Sequence, residues 1–284
     1  MIKQQQAEFL LEAMPYIRKY QDKILVIKYG GSAMLSEELK ESVMRDLTLL
    51  SFVGIKVVLV HGGGPEISET LKRMGIASRF IGGLRYTDEE TAEVVRMVLA
   101  GKVNKSLVHM LCAFGAKAVG LSGIDGNMIS CSKESEELGF VGKIEHLNTE
   151  LILNCLEKGY LPVISTVGGD DQGNIYNINA DTAAAAIAGA LKAESLILMT
   201  DTPGLLANKE DETSLLKKVY VSDISSLIGE GIISGGMIPK VNCCKDAIRK
   251  GVNRVFITDG RVKHSILLEL LSDEGSGTMF VKGD

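Results

Sequence analysis

Tryptophan is absent from the 284-residue sequence, proline occurs only five times, and Phe and Tyr number seven each. Recognition through a broad aromatic face is therefore not expected. No apolar run approaches the roughly 18 residues of a membrane span; the longest, Ala183 to Leu191, is rich in alanine. The five cysteines (Cys112, Cys131, Cys155, Cys243 and Cys244) lack any Cys-x-x-Cys or Cys/His spacing, which speaks for reduced thiols and against a zinc site. The adjacent Cys243 and Cys244 read as core-facing residues of a helix. A basic excess is lacking too: 31 Lys and Arg against 36 Asp and Glu give a net charge of -5, so no nucleic-acid partner is expected, while local pockets for phosphates remain possible. Glu8 and Glu12 interrupt the apolar N-terminal segment, unlike a secretory signal, so the expected compartment is the cytoplasm. Glycine is the surplus, and its 31 copies point to tight backbone turns near a ligand.

Residues 7–20 predict an amphipathic helix with Phe9, Leu10, Ala13, Met14 and Ile17 on one side and a kink at Pro15, an appendage whose apolar face needs a partner. From Ile24 onward, apolar runs of strand length alternate with longer amphipathic segments. The strands are expected at Ile24 to Ile27, Val57 to Val60, Leu161 to Ile164, Leu196 to Met199 and Val255 to Thr258. Helices are expected near 36–53, 65–74, 88–113, 149–158, 179–192, 237–250 and 263–271. Buried strands joined by helices imply an α/β fold with a mostly parallel sheet covered on both faces. The stretch 117–147 reads as a β-hairpin insertion, and 207–218 as a polar loop.

Four clusters carry chemistry. Glycine-rich turns follow two strands, at Lys28-Tyr29-Gly30-Gly31-Ser32 and His61-Gly62-Gly63-Gly64-Pro65, where strand ends and a helix N-terminus make a site for an anion. The third cluster, Asn177-Ile178-Asn179-Ala180-Asp181, sets three polar side chains at alternate positions. Asp181 there is either the cap of the alanine-rich helix or a site residue, or both. The fourth, Gly231 to Lys240, opens a helix with Pro239 and Lys240 in its first turn; a cation beside a helix N-terminus makes sense when a polyphosphate sits between them. No Gly-x4-Gly-Lys-Ser/Thr, no Gly-x-Gly-x-x-Gly with its acidic partner and no protein-kinase string is present, so a nucleotide would be held by another architecture. His61 reads as structural, His109 and His146 as surface or hairpin residues, and the helical methionines as core filling.

In order, the strings beginning at Lys28, His61, Gly83 (Gly-Leu-Arg-Tyr-Thr-Asp), Asn177, Thr200 (Thr-Asp-Thr-Pro-Gly-Leu-Leu) and Gly235 (Gly-Gly-Met-Ile-Pro-Lys) resemble the amino-acid kinase family over residues 24 to 281. Within it they are most similar to the branch acting on N-acetyl-L-glutamate. The resemblance implies a three-layer αβα sandwich divided into an N-terminal oligomerisation helix (1–23), an acyl-amino-acid lobe (24–194) and an ATP lobe (195–284). It also implies transfer of phosphate from ATP, with Mg²⁺ held through the ATP phosphates, to the substrate's side-chain carboxylate in arginine biosynthesis. Lys28, Lys240 and Asp181 would be catalytic. Gly30, Gly31 and Gly62 would bind phosphate, and Gly63, Gly64, Arg85, Asn177 and Asn179 the substrate. Thr200, Asp201, Thr202, Pro203, Gly204, Leu205, Leu206, Ile232, Ile233, Ser234 and Met237 would hold the nucleotide. The N-terminal helix and the C-terminal string resemble an arginine-inhibited, hexameric branch built as a trimer of dimers, with L-arginine at Tyr16, His264, Glu269 and Gly275. Alternatives are a kinase for N-acetyl-aminoadipate or another acylated amino acid, and a non-catalytic nucleotide-binding protein on the same fold.

Overall fold

In a computed structural model, residues 2–34, 36–273 and 275–283 are described. Fourteen strands follow in chain order: β1 (Ile24–Tyr29), β2 (Lys56–His61), β3 (Phe80–Ile81), β4 (Leu84–Arg85), β5 (Ala118–Ser122), β6 (Ile129–Lys133), β7 (Gly142–Leu147), β8 (Leu161–Ser165), β9 (Val167–Gly169), β10 (Ile175–Asn177), β11 (Ser195–Thr200), β12 (Lys218–Tyr220), β13 (Arg254–Asp259) and β14 (Thr278–Val281). The α-helices are α1 (Ile2–Tyr20), α2 (Glu37–Phe52), α3 (Gly64–Met74), α4 (Glu89–Arg96), α5 (Asn104–Ala113), α6 (Glu150–Glu157), α7 (Ala180–Ala190), α8 (Ile224–Gly229), α9 (Met237–Arg249) and α10 (Ser265–Leu271).

Eight strands form one sheet in the order β12-β14-β13-β11-β1-β2-β8-β5, parallel except where β14 meets β13. Alternation along each strand divides the core in two. Val26, Val58, Val60 and Ile164 face α6, α7 and α9, whereas Leu25, Ile27, Leu59 and Val163 face α2, α5 and α10. This is the expected αβα sandwich. β1 lies between β2 and β11, so the chain leaves its neighbourhood in one direction after β1 and returns on the other side through β11. Strand ends at such a reversal leave a crevice for a ligand.

The expected hairpin at 117–147 needs correction. Its first piece, β5, is the edge strand of the main sheet and pairs in parallel with β8; only β6 and β7 form the hairpin, extended by β9 and β10 into a separate four-stranded sheet. Local sequence does not reveal a pairing partner some 40 residues away. The appendage is α1, with Pro15 inside it; Ala13 is buried and Met14 exposed, and the side chains of Phe9 and Leu10 lie outside the described residues.

The segment expected as one helix over 88–113 consists of α4, a π-helical stretch from Met97 to Val103, and α5. Spacing explains the wide turn. Thr91, Val95, Leu99, Val103, Leu107 and Leu111 are all buried and recur every fourth residue, a repeat that drifts about 40° per step in a helix of 3.6 residues per turn. A π stretch keeps such a row facing the core. Among the described residues no helix is long and apolar enough to cross a membrane.

Candidate active site

The two glycine turns sit side by side at the ends of β1 and β2, where the Gly62 N–H donates to the Tyr29 carbonyl at 3.1 Å. Gly31 adopts φ +68°, open to glycine at little cost. Gly63 and Gly64 open α3 without a side-chain cap. Their uncapped N–H groups, aided by the helix dipole, suit an anion.

Asp181 stands in the first turn of α7. Its carboxylate contacts the Lys28 ammonium at 2.9 Å on one oxygen and the Lys240 ammonium at 3.3 Å on the other. Burial pushes the Asp181 carboxyl up, but the two ammonium groups outweigh it and hold it below its ordinary value. Asp181 is not the helix cap. Asn179 takes that place, its side-chain oxygen accepting from the Asp181 and Thr182 N–H groups at 3.0 and 3.1 Å, which frees Asp181 for the lysines. Asn177, Asn179 and Asp181 accordingly do not share one extended face, because helix begins between them.

Small residues bring the lysines together. α7 buries Ala183, Ala184, Ala185 and Ala188, and a Cβ on Gly189 would stand 2.7 Å from the Lys250 Cβ, so α7 and α9 approach closely and carry Asp181 to Lys240. Lys28 comes from β1 on the other side.

Arg85 is buried on β4 and donates to the Gly64 carbonyl at 3.0 Å, to Ser68 at 2.9 Å and to Ser78, with its guanidinium over the Phe80 ring at 4.7 Å. Burial lowers its pKa. Among the described residues no carboxylate pairs with it. A desolvated guanidinium held only by neutral acceptors keeps its charge for an incoming anion. A hollow of about 160 Å³ is lined by Arg85, Gly62 to Gly64, Leu99 and Asn177, and it shares Gly83, Leu84, Val141 and Asn179 with a wider cleft of about 730 Å³ that contains Asp181 and Lys240. Asn177 donates to Thr87 at 3.3 Å.

His61 is fully buried and structural, as expected. Its Nδ1–H donates to the Gly62 carbonyl at 2.8 Å, and Asn104 donates to Nε2 at 3.1 Å. Burial depresses its pKa to about 4, so the ring is neutral at pH 7.

The nucleotide strings are less tightly gathered. The cleft lining includes Gly236, Pro239 and Lys240 but, among the described residues, no member of 200–206 or 232–234. Leu205 and Ile233 are buried in the core; the Leu205 N–H donates to Thr278 at 2.8 Å, Thr200 contacts Thr202, and Leu206 bridges to Leu215. Asp201 is exposed, Thr202, Pro203 and Ile232 are half-buried, and Gly204 has φ +145°. Ser234 is bonded by Lys209 and accepts the Met237 N–H at 3.2 Å through its carbonyl.

A second hollow, of about 600 Å³, lies among α1, α10, β12 and β14 and is lined by Tyr16, Glu269 and Gly275 together with Arg254 and Lys217. Glu269 is buried, and one oxygen accepts the Ser276 and Gly277 N–H groups at 2.8 and 2.7 Å. It is not a solvated helix residue. His264, expected here, is absent from the lining: at φ +58° ahead of α10 it turns toward α2, placing Nδ1 2.6 Å from the buried carboxylate of Asp46. Burial raises the Asp46 pKa to about 6, with His264 opposing it.

Ser68, Ser78, Leu99 and Asn104 were not anticipated as site residues. Only the fourfold spacing around Leu99 could have marked one of them.

A family model described as the amino acid kinase family matches residues 23–259. An acetylglutamate kinase of Clostridioides difficile is 58% identical over 283 residues, covering 99% of each chain, and one of Brachyspira hyodysenteriae is 57% identical over 97% of this chain and 96% of its own. Among solved structures, an N-acetylglutamate synthase of Neisseria gonorrhoeae, complexed with coenzyme A and N-acetyl-glutamate, aligns with TM-score 0.84 at 25% identity. The alignment covers 98% of this chain, which spans 64% of the synthase's length. The Giardia lamblia carbamate kinase bound to AMP-PNP shares the fold, with TM-score 0.65 at 17% identity over 92% of this chain and 99% of its own.

Proposed function

The chain belongs to the amino acid kinase family, as a phosphotransferase of the acetylglutamate kinase kind, and on that premise we propose that it phosphorylates the side-chain carboxylate of N-acetyl-L-glutamate with ATP as a step of arginine biosynthesis. The observation that carries the mechanism is Asp181 bridging Lys28 and Lys240 beside two glycine turns. A carboxylate nucleophile is already ionised at pH 7, so no general base is required. A carboxylate oxygen attacks the γ-phosphorus as the bond to the ADP oxygen breaks, giving an acyl phosphate. Repulsion between an anion and a polyanion is the obstacle, and Lys28 and Lys240 offset it from opposite sides while Asp181 keeps both in place.

Arg85 takes the substrate's α-carboxylate through its planar fork, with Asn177 and Asn179 beside it. Gly30, Gly31, Gly63 and Gly64 offer N–H groups to the transferring phosphoryl and the acceptor, whereas the Gly62 N–H is taken by the Tyr29 carbonyl and Gly62 serves through the close approach its missing side chain allows. Among the described residues no group of three His, Cys, Asp or Glu could hold a metal. Asp181 is already committed to two ammonium groups, so Mg²⁺ would be held through the ATP phosphates, whose charge it would help to neutralise. The nucleotide then lies toward 200–206 and 232–237 in the lobe from 195 to 284, and the acceptor in the lobe from 24 to 194.

Arginine as feedback inhibitor is assigned to the hollow at Tyr16, Glu269 and Gly275, where the buried Glu269 carboxylate is the group that would pair with its guanidinium, and Lys217 and Arg254 line the same space for its carboxylate. Leu11 and Met14 of α1, 69% and 59% exposed, supply an apolar face for joining dimers into a hexamer. A cytoplasmic setting agrees with these small-molecule ligands.

The test is MgATP-dependent acyl-phosphate formation, trapped as hydroxamate, with N-acetyl-L-glutamate, glutamate and N-acetyl-L-aminoadipate, each with and without arginine. Turnover of N-acetyl-L-glutamate suppressed by arginine is expected. ATP binding with no acceptor consumed would leave the protein a nucleotide-binding one. Activity indifferent to arginine would reduce α1 to an element of assembly, which light scattering on the purified protein would size.

A further inference from the structure

We propose that Leu99, fixed by the π-helical stretch Met97–Val103, is the wall that sets how long an acceptor this site can take, an inference that rests on the carboxylate-kinase reading. Both ends of the acceptor are tied to charge. At one end Arg85 is bonded to the Gly64 carbonyl; at the other, the Cβ position of Gly30 lies 3.4 Å from the Lys28 ammonium and 3.8 Å from the Gly62 nitrogen. The backbone from the Gly62 nitrogen to the Gly64 carbonyl runs between the two, and three residues of extended chain reach about 11 Å at most. An acceptor with two carboxylates must span that interval.

Leu99 closes the middle of it. A Cβ on Gly63 would come within 2.7 Å of the Leu99 Cδ2 and 3.3 Å of the Val103 Cγ2, so both side chains press against the backbone that joins the two charged ends. Leu99 cannot retreat, being buried with Val95, Val98, Val103 and Leu107 in the core under the sheet. One more methylene between two pinned carboxylates must bow outward, and in the direction of Leu99 there is no room.

The π stretch is what directs Leu99 there. It holds the fourfold row facing the core up to Asn104, whose side chain donates to His61, to the Val163 carbonyl at 2.8 Å and to the Leu121 carbonyl at 3.3 Å. Anchored by Asn104 behind and by the Asp88 cap of α4 in front, the segment has one register. Helical segments of this type recur at functional sites.

The experiment compares kcat/KM for N-acetyl-L-glutamate and for N-acetyl-L-aminoadipate in the wild type, Leu99→Ala and Leu99→Val, with thermal melts to establish folding. A methylene in an apolar pocket discriminates by roughly 10- to 200-fold. Leu99→Ala should shift the ratio toward the longer acceptor by at least tenfold, mainly through its KM, and Leu99→Val by less in the same direction. If Leu99→Ala does not fold, Leu99→Val alone decides by the sign of its shift. A ratio unchanged in a folded variant, with the wild type active on N-acetyl-L-glutamate, overturns the role of Leu99 and leaves the kinase reading intact. A wild type that phosphorylates neither acceptor defeats both.

Discussion

Asp181→Asn is the sharpest perturbation of the catalytic pair, since it keeps the shape of the side chain and removes its charge. In the intact site one carboxylate faces two ammonium groups at 2.9 and 3.3 Å. Without it, two positive charges roughly 6 Å apart at an effective dielectric of about 20 repel by about 3 kcal/mol. That repulsion is relieved when the ATP phosphates arrive, so nucleotide binding should hold or tighten. What is lost is the common anchor that keeps both ammonium groups on the transferring phosphoryl. If about 3 kcal/mol of transition-state stabilisation goes with it, kcat falls by roughly two powers of ten. Steady-state assay of acyl-phosphate formation should therefore show a kcat about 100-fold lower with a KM for ATP no higher than that of the wild type. The role assigned to Asp181 is refuted by a kcat within threefold of the wild type, or by a raised KM for ATP with kcat preserved. A break in the wild-type kcat profile between pH 6 and 8 assigned to Asp181 would indicate a base, which its lowered pKa rules against.

Three further expectations follow from the same geometry. Arg85→Gln removes a desolvated guanidinium worth about 1.5–3 kcal/mol to a charged partner, so KM for the acceptor should rise roughly 10- to 150-fold with kcat little changed, and an unchanged KM would move the α-carboxylate elsewhere. His61, with a folded pKa near 4 against about 6.5 unfolded, binds its proton more readily in the unfolded chain, so its contribution is full above pH 6.5 and is lost as pH falls toward 4, by up to about 3 kcal/mol. Asp46, raised to about 6, pulls the other way over the same window, so the quantity to measure is the difference in urea midpoint between wild type and His61→Asn at pH 7.5 and pH 5, which should shrink at the lower pH. Gly275→Ala strains a residue at φ +57° and puts a methyl 2.9 Å from Glu269, so the arginine needed for half inhibition should rise at least tenfold while activity without arginine stays close to wild type; an unaltered arginine response would detach that hollow from regulation.

Much of the frame was legible because it is local. Apolar runs of strand length mark β1, β2, β8, β11 and β13, and the segments between them carry helical spacing. Glycine after a strand needs no partner to signal a turn, and Lys28, Arg85 and Lys240 could be named from their strings. Short strands escaped notice: β12, β14 and the ribbon β3–β4 are two to four residues long and gain their identity from pairing. β5 looked like part of a hairpin because nothing within it names β8 as its neighbour.

The alternating architecture, the glycine turns and the charged side chains available to them are written locally, because periodicity and residue chemistry act over a few positions. Tertiary structure alone decided how those side chains are shared out. It brought two lysines, contributed by β1 and α9, to Asp181, which the local Asn179 cap of α7 leaves free. It turned His264 toward Asp46 and away from Glu269. It also set Leu99, on the stretch that the fourfold spacing widens, against Gly63. Each of these depends on a distance between segments remote in the chain, which only the packing of α7 on α9 and of the helices on the sheet can set.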